Sequence, residues 1–135
     1  MMKSCKMITA LLLALVLLTG CGGGDTSAHG RQIRPSVRYS EQTIADAMDV
    51  VESHFKQHFD GCQLLTIVYD EEATGEKASR EAERNGKDTI ILLTDFTVDD
   101  SGAASGLTPG MTYRNYEWTL VKTLFGWELK DWGYA

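Results

Sequence analysis

The stretch SEQTIADAMDVVESHFKQHFDG, residues 40–61, decides the fold of this 135-residue chain because it carries one uninterrupted helical pattern. Five large apolar residues recur in it at steps of four, three, four and four: Ile44, Met48, Val51, Phe55 and Phe59. That period places them on one face of an amphipathic helix. Ser40 is a good N-cap, and Gly61 supplies a stop. We therefore predict a long helix that lays this stripe across a sheet.

The segments that follow alternate between strand-like and helix-like character. Residues 64–69 and 89–98 are rich in β-branched and aromatic residues, which favour strands. On the first strand we expect one face to carry Leu65, Ile67 and Tyr69. On the second, Ile90, Leu92, Phe96 and Val98 share a face, and Asp95 points away. Residues 72–85, which end at Asn85-Gly86, predict a short exposed helix between the two strands.

The last third of the chain predicts a loop and a terminal hairpin. Residues 99–110 are rich in Asp, Ser, Gly and Pro, and residues 112–121 and 127–134 form strands around Gly126. The residues expected to point inward are Tyr116, Trp118 and Leu120, together with Trp127 and Leu129 across the hairpin. Trp132 and Tyr134 have the opposite parity. Either a β-bulge redirects these two rings, or they cover the outer face of the sheet.

The amino terminus predicts export. Lys3 and Lys6 precede an apolar run at residues 7–18, which is shorter than the roughly 20 residues of a membrane-spanning helix. The residues after it, Leu18-Thr19-Gly20-Cys21, resemble the lipobox of bacterial lipoproteins. The resemblance implies that residues 1–20 are a signal peptide and that lipid is attached to Cys21. It also implies a chain anchored to the cell membrane and facing outside the cytoplasm, since two or more acyl chains anchor a protein stably.

Residues 21–40 predict a lipidated cysteine followed by a flexible basic tether, and residues 41–135 predict one α+β globular domain. The tether carries Arg31, Arg34 and Arg38 against Asp25, so it either lies on anionic headgroups or merely adds solubility. The domain holds 18 acidic and 8 basic residues, a net charge of −10, which argues against a nucleic-acid partner. Once Cys5 leaves with the signal and Cys21 carries lipid, Cys62 has no cysteine to pair with.

The order helix, strand, helix, strand, strand, strand ends in GWELKDWGY, residues 126–134. It resembles small NTF2-like or cystatin-like domains, and in particular lipoproteins of Gram-positive gut bacteria. The matching segments are residues 39–40, 68–72, 118–122 and 127–134. The resemblance implies one long N-terminal helix packed on a curved antiparallel sheet of about four strands, with a short second helix. The chain is shorter than NTF2-like enzymes and lacks their extra helices, which counts against a catalytic cavity.

The candidate chemistry-bearing residues favour structural roles. His54, His58 and Cys62 are spaced by four, but zinc sites need three or four ligands, and Gly61 interrupts the row before the thiol. We therefore predict no metal site, no catalytic residue and no cofactor. The acidic residues are expected to be solvated strand ends and turns rather than a calcium site. They are Asp70, Glu71, Glu72, Asp95, Asp99 and Asp100.

Three functions remain open from the sequence, and the third of these is a structural accessory domain without a ligand, distinguishable only by the phenotype of a deletion. The first is a non-catalytic lipid-anchored domain that binds an envelope protein or peptide, with Tyr113, Trp132 and Tyr134 as contacts if they are exposed. The second is a small-ligand-binding or enzymatic domain with a pocket between the first helix and the sheet. The candidate lining residues of that pocket are Tyr116, Trp118 and Lys122. A packed helix–sheet interface would argue against the second.

Overall fold

The computed structural model describes residues 23–101, 104 and 106–134. The predicted signal peptide and Cys21 lie outside these residues. The elements follow one another along the chain as β1 (Gly30–Ile33), α1 (Glu41–His58), β2 (Cys62–Tyr69), α2 (Glu71–Asn85), β3 (Thr89–Val98), β4 (Thr112–Thr123) and β5 (Gly126–Gly133).

The five strands form one mixed sheet in the order β1-β2-β3-β4-β5. β1 runs parallel to β2, and all other neighbours are antiparallel. The predicted fold is therefore wrong in three respects, although the class is α+β. The sheet has five strands rather than about four, it is not purely antiparallel, and a strand precedes the long helix. The second helix, expected at residues 72–85, begins one residue earlier and has 15 residues.

Helix α1 forms as the apolar period predicts. The Ser40 hydroxyl accepts a hydrogen bond from the Thr43 amide at 3.2 Å, and the Phe59 amide closes the last turn on the Phe55 carbonyl at 3.0 Å. The stripe residues Ile44, Met48, Val51 and Phe55 are fully buried. They pack on the sheet face that carries Leu64, Ile90, Leu92, Phe96, Trp118 and Leu120.

Helix α2 packs on the opposite face of the sheet. The Thr74 hydroxyl approaches the carbonyl of Ile91, whose side chain alternates away from α1 and is fully buried there. Asp70 caps the start of α2 by accepting from the Ala73 amide, and Gly86 ends it with φ +66°. That left-handed backbone conformation is one that glycine adopts without strain.

The prediction of a flexible tether is wrong for residues 23–40. Gly30–Ile33 is a strand on the edge of the sheet, although its sequence GRQI shows no apolar alternation. Nearer the amino terminus, the Gly24 amide donates to the Lys56 carbonyl at 3.0 Å, and the Asp25 amide donates to the Cys62 carbonyl at 2.8 Å. This segment belongs to the folded domain.

The three arginines of the segment bind the domain itself. The Arg31 guanidinium pairs with Glu52 at 2.6 Å and with Asp49. Arg34 lies 3.5 Å from Asp70, and Arg38 donates to the Gly75 carbonyl at 3.3 Å. The basic residues thus meet acceptors of the acidic body, and they tie β1 and the β1–α1 loop to both helices.

Bulges change which side chains face the core. In β2, a register shift between Leu64 and Thr66 places Leu64, Ile67 and Tyr69 inside. The predicted set of Leu65, Ile67 and Tyr69 is therefore wrong at its first member. The faces of β3 and β4 are confirmed, since Ile90, Leu92, Phe96, Val98, Tyr116, Trp118 and Leu120 all join the core.

A second bulge resolves the open question in β5. Leu120 pairs with Leu129, whereas Thr119 pairs with Asp131, so Lys130 is the extra residue. Trp132 is thereby placed opposite Trp118 on the face that carries α1, and the two indoles stack with centroids 6.1 Å apart. The bulge, and not an outer-face position, explains the parity of Trp132.

Candidate functional site

The interface between α1 and the sheet is packed where the sequence suggested a pocket. Trp118 is 0% exposed, and its indole N–H donates to the Thr94 hydroxyl at 2.7 Å. Lys122 is exposed, and its Nζ lies 5.0 Å from the centre of the Trp127 ring near the start of α1. Tyr116, Trp118 and Lys122 therefore do not line one cavity, and only Tyr116 reaches the cleft described next.

A largely apolar concave site lies at the carboxyl end of α1. We call it the histidine–aromatic cleft. It has a volume of about 420 Å³, within the range typical of ligand pockets, and it is partly open to solvent. Its described lining residues are His54, His58, Phe59, Ala104, Gly106, Leu107, Tyr116 and Trp132.

Three parts of the fold build this cleft. The last turns of α1 contribute His54, His58 and Phe59. β5 pairs with β4 only as far as Glu117, so no strand pairs with Tyr116 on that side, and the Tyr116 ring reaches the cleft although it is only 8% exposed. The bulge in β5 brings in Trp132, which remains 42% exposed. The cleft thus exists because one hairpin strand is shorter than its partner and is bulged.

His54 is the most constrained polar group of the cleft. Its ring centroid lies 4.5 Å from those of both His58 and Trp132, and 6.0 Å from that of Trp118. Its Nε2 atom is buried and finds no hydrogen-bond partner among the described residues. Burial lowers the pKa of His54, and the neighbouring His58 lowers it further. The His54 imidazole is therefore held neutral between aromatic rings.

We expect His54 to make the protein less stable in mild acid. Because its pKa is lower in the folded than in the unfolded chain, the unfolded chain binds the extra proton first. The free energy of unfolding has its full value above the pKa of histidine in the unfolded chain, about 6.5. It declines as the pH falls from there toward the lower pKa of His54 in the folded chain. Urea midpoints at pH 7 and pH 5 should therefore differ more for wild type than for His54→Asn, which keeps a polar side chain without titrating. Equal differences in the two proteins would contradict this role.

Cys62 stands apart from the two histidines. Its side chain is buried, and its Sγ lies 3.8 Å from the Asp60 carbonyl oxygen. Burial raises the pKa of the thiol to about 11, with smaller contributions from Asp99 and Asp60. The described residues contain no group of three or more potential metal ligands. His54, His58 and Cys62 therefore do not form a three-ligand set, and the Cys62 thiol stays protonated at neutral pH.

The acidic residues are engaged in turns and caps. Asp70 caps α2, Asp99 accepts the Ser101 amide at 3.0 Å, and Asp95 accepts the Asn115 amide at 2.9 Å. Asn115 needs this support because it sits at a β4 bulge with φ +54°, a conformation that Asn tolerates better than most residues. These carboxylates serve local backbone geometry.

The three aromatics named as possible contacts divide into two groups. Tyr113 is 8% exposed and stacks on Phe96 with centroids 5.2 Å apart, so it belongs to the core. Trp132 and Tyr134 are 42% and 55% exposed. Tyr134 stacks on Tyr113 at 5.4 Å and also contacts the Tyr116 ring at 5.7 Å. Trp132 thus lines the cleft, whereas Tyr134 contacts one of its lining residues, Tyr116.

The sequence did not reveal the cleft as a set. His54 and His58 were recognised as neighbours, and their place in the last turns of α1 was the available signal. Their proximity to Trp132 depends on the β5 bulge, and Leu107 belongs to a loop whose path no pattern predicts.

Comparison of the chain with protein-family models, curated proteins and solved structures gives no match. Within the part of the chain that the structure describes, neither helix has the length and apolar character needed to span a bilayer.

Proposed function

We propose that this protein is a lipid-anchored extracytoplasmic binding domain without catalytic activity, and that the histidine–aromatic cleft is its binding site for an envelope component. The anchor is supported by the residues Leu18-Thr19-Gly20-Cys21 at the end of a short apolar run. The binding role is supported chiefly by one observation, the concave and largely aromatic site whose rim includes the half-exposed Trp132. Exposed aromatic rings in concave surfaces are typical anchors of ligands and partners.

The polar groups of the cleft suit binding better than group transfer. Its titratable described lining residues are His54, His58 and Tyr116. Burial raises the pKa of the Tyr116 phenol, with a smaller contribution from Tyr113, so the phenol stays neutral near pH 7. A nucleophile is activated by an adjacent general base or by a lowered pKa. The buried Cys62 thiol has the opposite shift.

One experiment tests anchor and site together. Cells that express the full chain are fed a radioactive fatty acid, and a photoreactive benzophenone amino acid replaces Trp132. We expect wild type and Cys5→Ser to be labelled with fatty acid, and Cys21→Ser to lose the label, because only the Cys21 sulfur carries lipid in the proposal. Irradiation of intact cells should crosslink position 132 to an envelope component.

The matched control for the crosslink places the same photoreactive group at Glu83, an exposed position of α2 on the other face of the sheet. This variant should give no such product. A wild-type chain as unlabelled as Cys21→Ser would contradict the anchor. Identical crosslinking patterns from positions 132 and 83 would contradict the cleft as the binding site.

A further inference from the structure

The start of the described chain is fixed close to the end of α1. The Gly24 amide donates to the Lys56 carbonyl at 3.0 Å, and the backbone of Asp25 bridges to Gln63 at the start of β2. Cys21 lies three residues before Gly24. Three residues span at most about 10 Å. A lipid on Cys21 would therefore hold this end of the domain against the bilayer.

The histidine–aromatic cleft lies at the same end of the domain. Lys56, which binds Gly24, lies between the cleft residues His54 and His58 in the sequence of α1. The N-terminal segment runs on the β1–β2 side of the helix, and the cleft opens on the β4–β5 side. The two are thus separated by little more than the helix, whose diameter with side chains is about 10 Å. With lipid on Cys21, the cleft would therefore lie within roughly 20 Å of the attachment point, close enough for an amphiphile of the adjacent membrane to reach its mouth.

The chemistry of the lining matches an amphiphile with a negative head. Phe59, Leu107, Tyr116 and Trp132 offer an apolar surface for a hydrocarbon chain. His58 is exposed at the rim, where its imidazole can donate a hydrogen bond to an anionic oxygen. The described lining residues include no carboxylate, and the one that acts on the lining from outside is Asp131, which adds to the effect of burial in raising the pKa of the Tyr116 phenol.

We propose that the cleft binds a single acyl chain with an anionic head, taken from the adjacent membrane. The chain lies against Phe59, Tyr116 and Trp132, and the head meets His58. This inference rests on the proposed function, because lipid on Cys21 is what brings the cleft to the bilayer. The same chemistry is offered by a free fatty acid and by an anionic phospholipid of the bilayer.

The test uses the mature lipidated protein in phosphatidylcholine nanodiscs and follows tryptophan fluorescence. Hexanoate, octanoate and decanoate are titrated, with decanol as the uncharged chain and acetate as the isolated head. We expect saturable binding that tightens about three- to four-fold with each added methylene. Acetate should not bind. A series whose affinity is independent of chain length, or no saturable binding at all, overturns the proposal.

Matched variants assign the binding to the cleft. His58→Leu should weaken decanoate binding about five-fold while leaving decanol unchanged, because the hydrogen-bond donor to the charged head is removed and an apolar side chain is kept. His29→Leu, which changes a histidine that pairs with Glu52 on the β1 side, should match wild type. Trp132→Leu should remove the fluorescence change. Equal losses for decanoate and decanol in His58→Leu would overturn the assigned position of the head.

A second set of nanodiscs, made of phosphatidylglycerol with brominated acyl chains, decides where the bound acyl chain comes from. Quenching of Trp132 before any fatty acid is added, judged against Trp132→Leu, identifies a phospholipid of the bilayer. Decanoate binding without such quenching identifies a free fatty acid.

Fatty-acid labelling of the same preparation separates the two proposals. A labelled protein that binds no amphiphile overturns this inference alone, and an unlabelled protein that binds decanoate overturns the anchor and with it the membrane as the source.

Discussion

Trp118→Ala is expected to lower the free energy of unfolding by about 3–5 kcal/mol, the usual range for removing a large buried aromatic ring. Trp118 has no exposed surface, and its ring contacts Trp132 at 6.1 Å, Phe59 at 5.2 Å and His54 at 6.0 Å. Alanine would leave a cavity under the cleft and would leave the Thr94 hydroxyl without the indole donor. Urea unfolding followed by far-ultraviolet circular dichroism measures the change, on residues 21–135 carrying Cys21→Ser.

Two variants divide this loss into its parts. Trp118→Phe keeps an aromatic ring but removes the N–H, so it should cost about 1–2 kcal/mol. Trp132→Ala removes the stacked partner, which is already 42% exposed, and should cost about 1 kcal/mol. A Trp118→Ala protein as stable as Trp132→Ala would show that the interface under α1 is not the packed core described above.

Local signals explain why α1 and β3 could be predicted. The Ser40 cap and the apolar stripe act within a few residues of one another, and the observed helix begins and ends where these signals lie. The second strand was expected at residues 89–98, and β3 occupies Thr89–Val98. Both faces of β3 are buried, one under each helix, so most of its residues are apolar. It can therefore be recognised as a strand without knowledge of how it pairs with its neighbours.

Register and edge pairing explain what the sequence could not provide. The bulge at Leu65 shifts the inward set of β2, and it depends on pairing with β3 some 30 residues away. β1 has no apolar pattern. Parallel pairing with β2 and the ion pairs of Arg31 hold it in the sheet, and neither can be recognised from the local sequence. The sequence of a short polar edge strand of this kind cannot be told from that of a linker.

The cleft was beyond prediction for the same physical reason. His54 and Trp132 are 78 positions apart in the chain, and their rings meet only because Lys130 is inserted as a bulge. Without that bulge, alternation would have sent Trp132 to the outer face. The sequence offered both outcomes, and only the pairing of β5 with β4 distinguishes them.

Glu71→Ala is expected to destabilise the protein by about 2 kcal/mol and to loosen the loop between β1 and α1. The Glu71 carboxylate accepts from the Ser36 hydroxyl at 2.6 Å, the Tyr69 hydroxyl at 2.7 Å and the Val37 amide at 2.9 Å. Hydrogen bonds to a charged group contribute about 1.5–3 kcal/mol each when buried. The three bonds to Glu71 are partly exposed and share one acceptor group, so their contributions do not add in full. Urea unfolding at pH 7 measures the loss.

The pH dependence of Glu71 gives the sharper result. Partial burial would raise the pKa of Glu71, but the hydrogen bonds from Ser36, Tyr69 and the Val37 and Arg38 backbone outweigh it and lower the pKa to about 2. Because the folded value is depressed, the stabilisation is complete above the unfolded value near 4.3 and disappears as the pH falls toward 2. The difference in free energy of unfolding between wild type and Glu71→Gln should therefore shrink as the pH falls through this range.

A matched control lies one residue away. Glu72 is exposed in the same first turn of α2 and accepts none of the bonds described above that hold the β1–α1 loop, so Glu72→Gln should have the urea midpoint of wild type at pH 7. Ser36→Ala removes one hydrogen-bond donor to Glu71, so the pKa of Glu71 in the folded chain should rise. The pH range over which stability is lost should then end at a higher pH than in wild type. If Glu71→Gln kept the full wild-type pH dependence, the β1–α1 loop would be held by contacts other than this carboxylate.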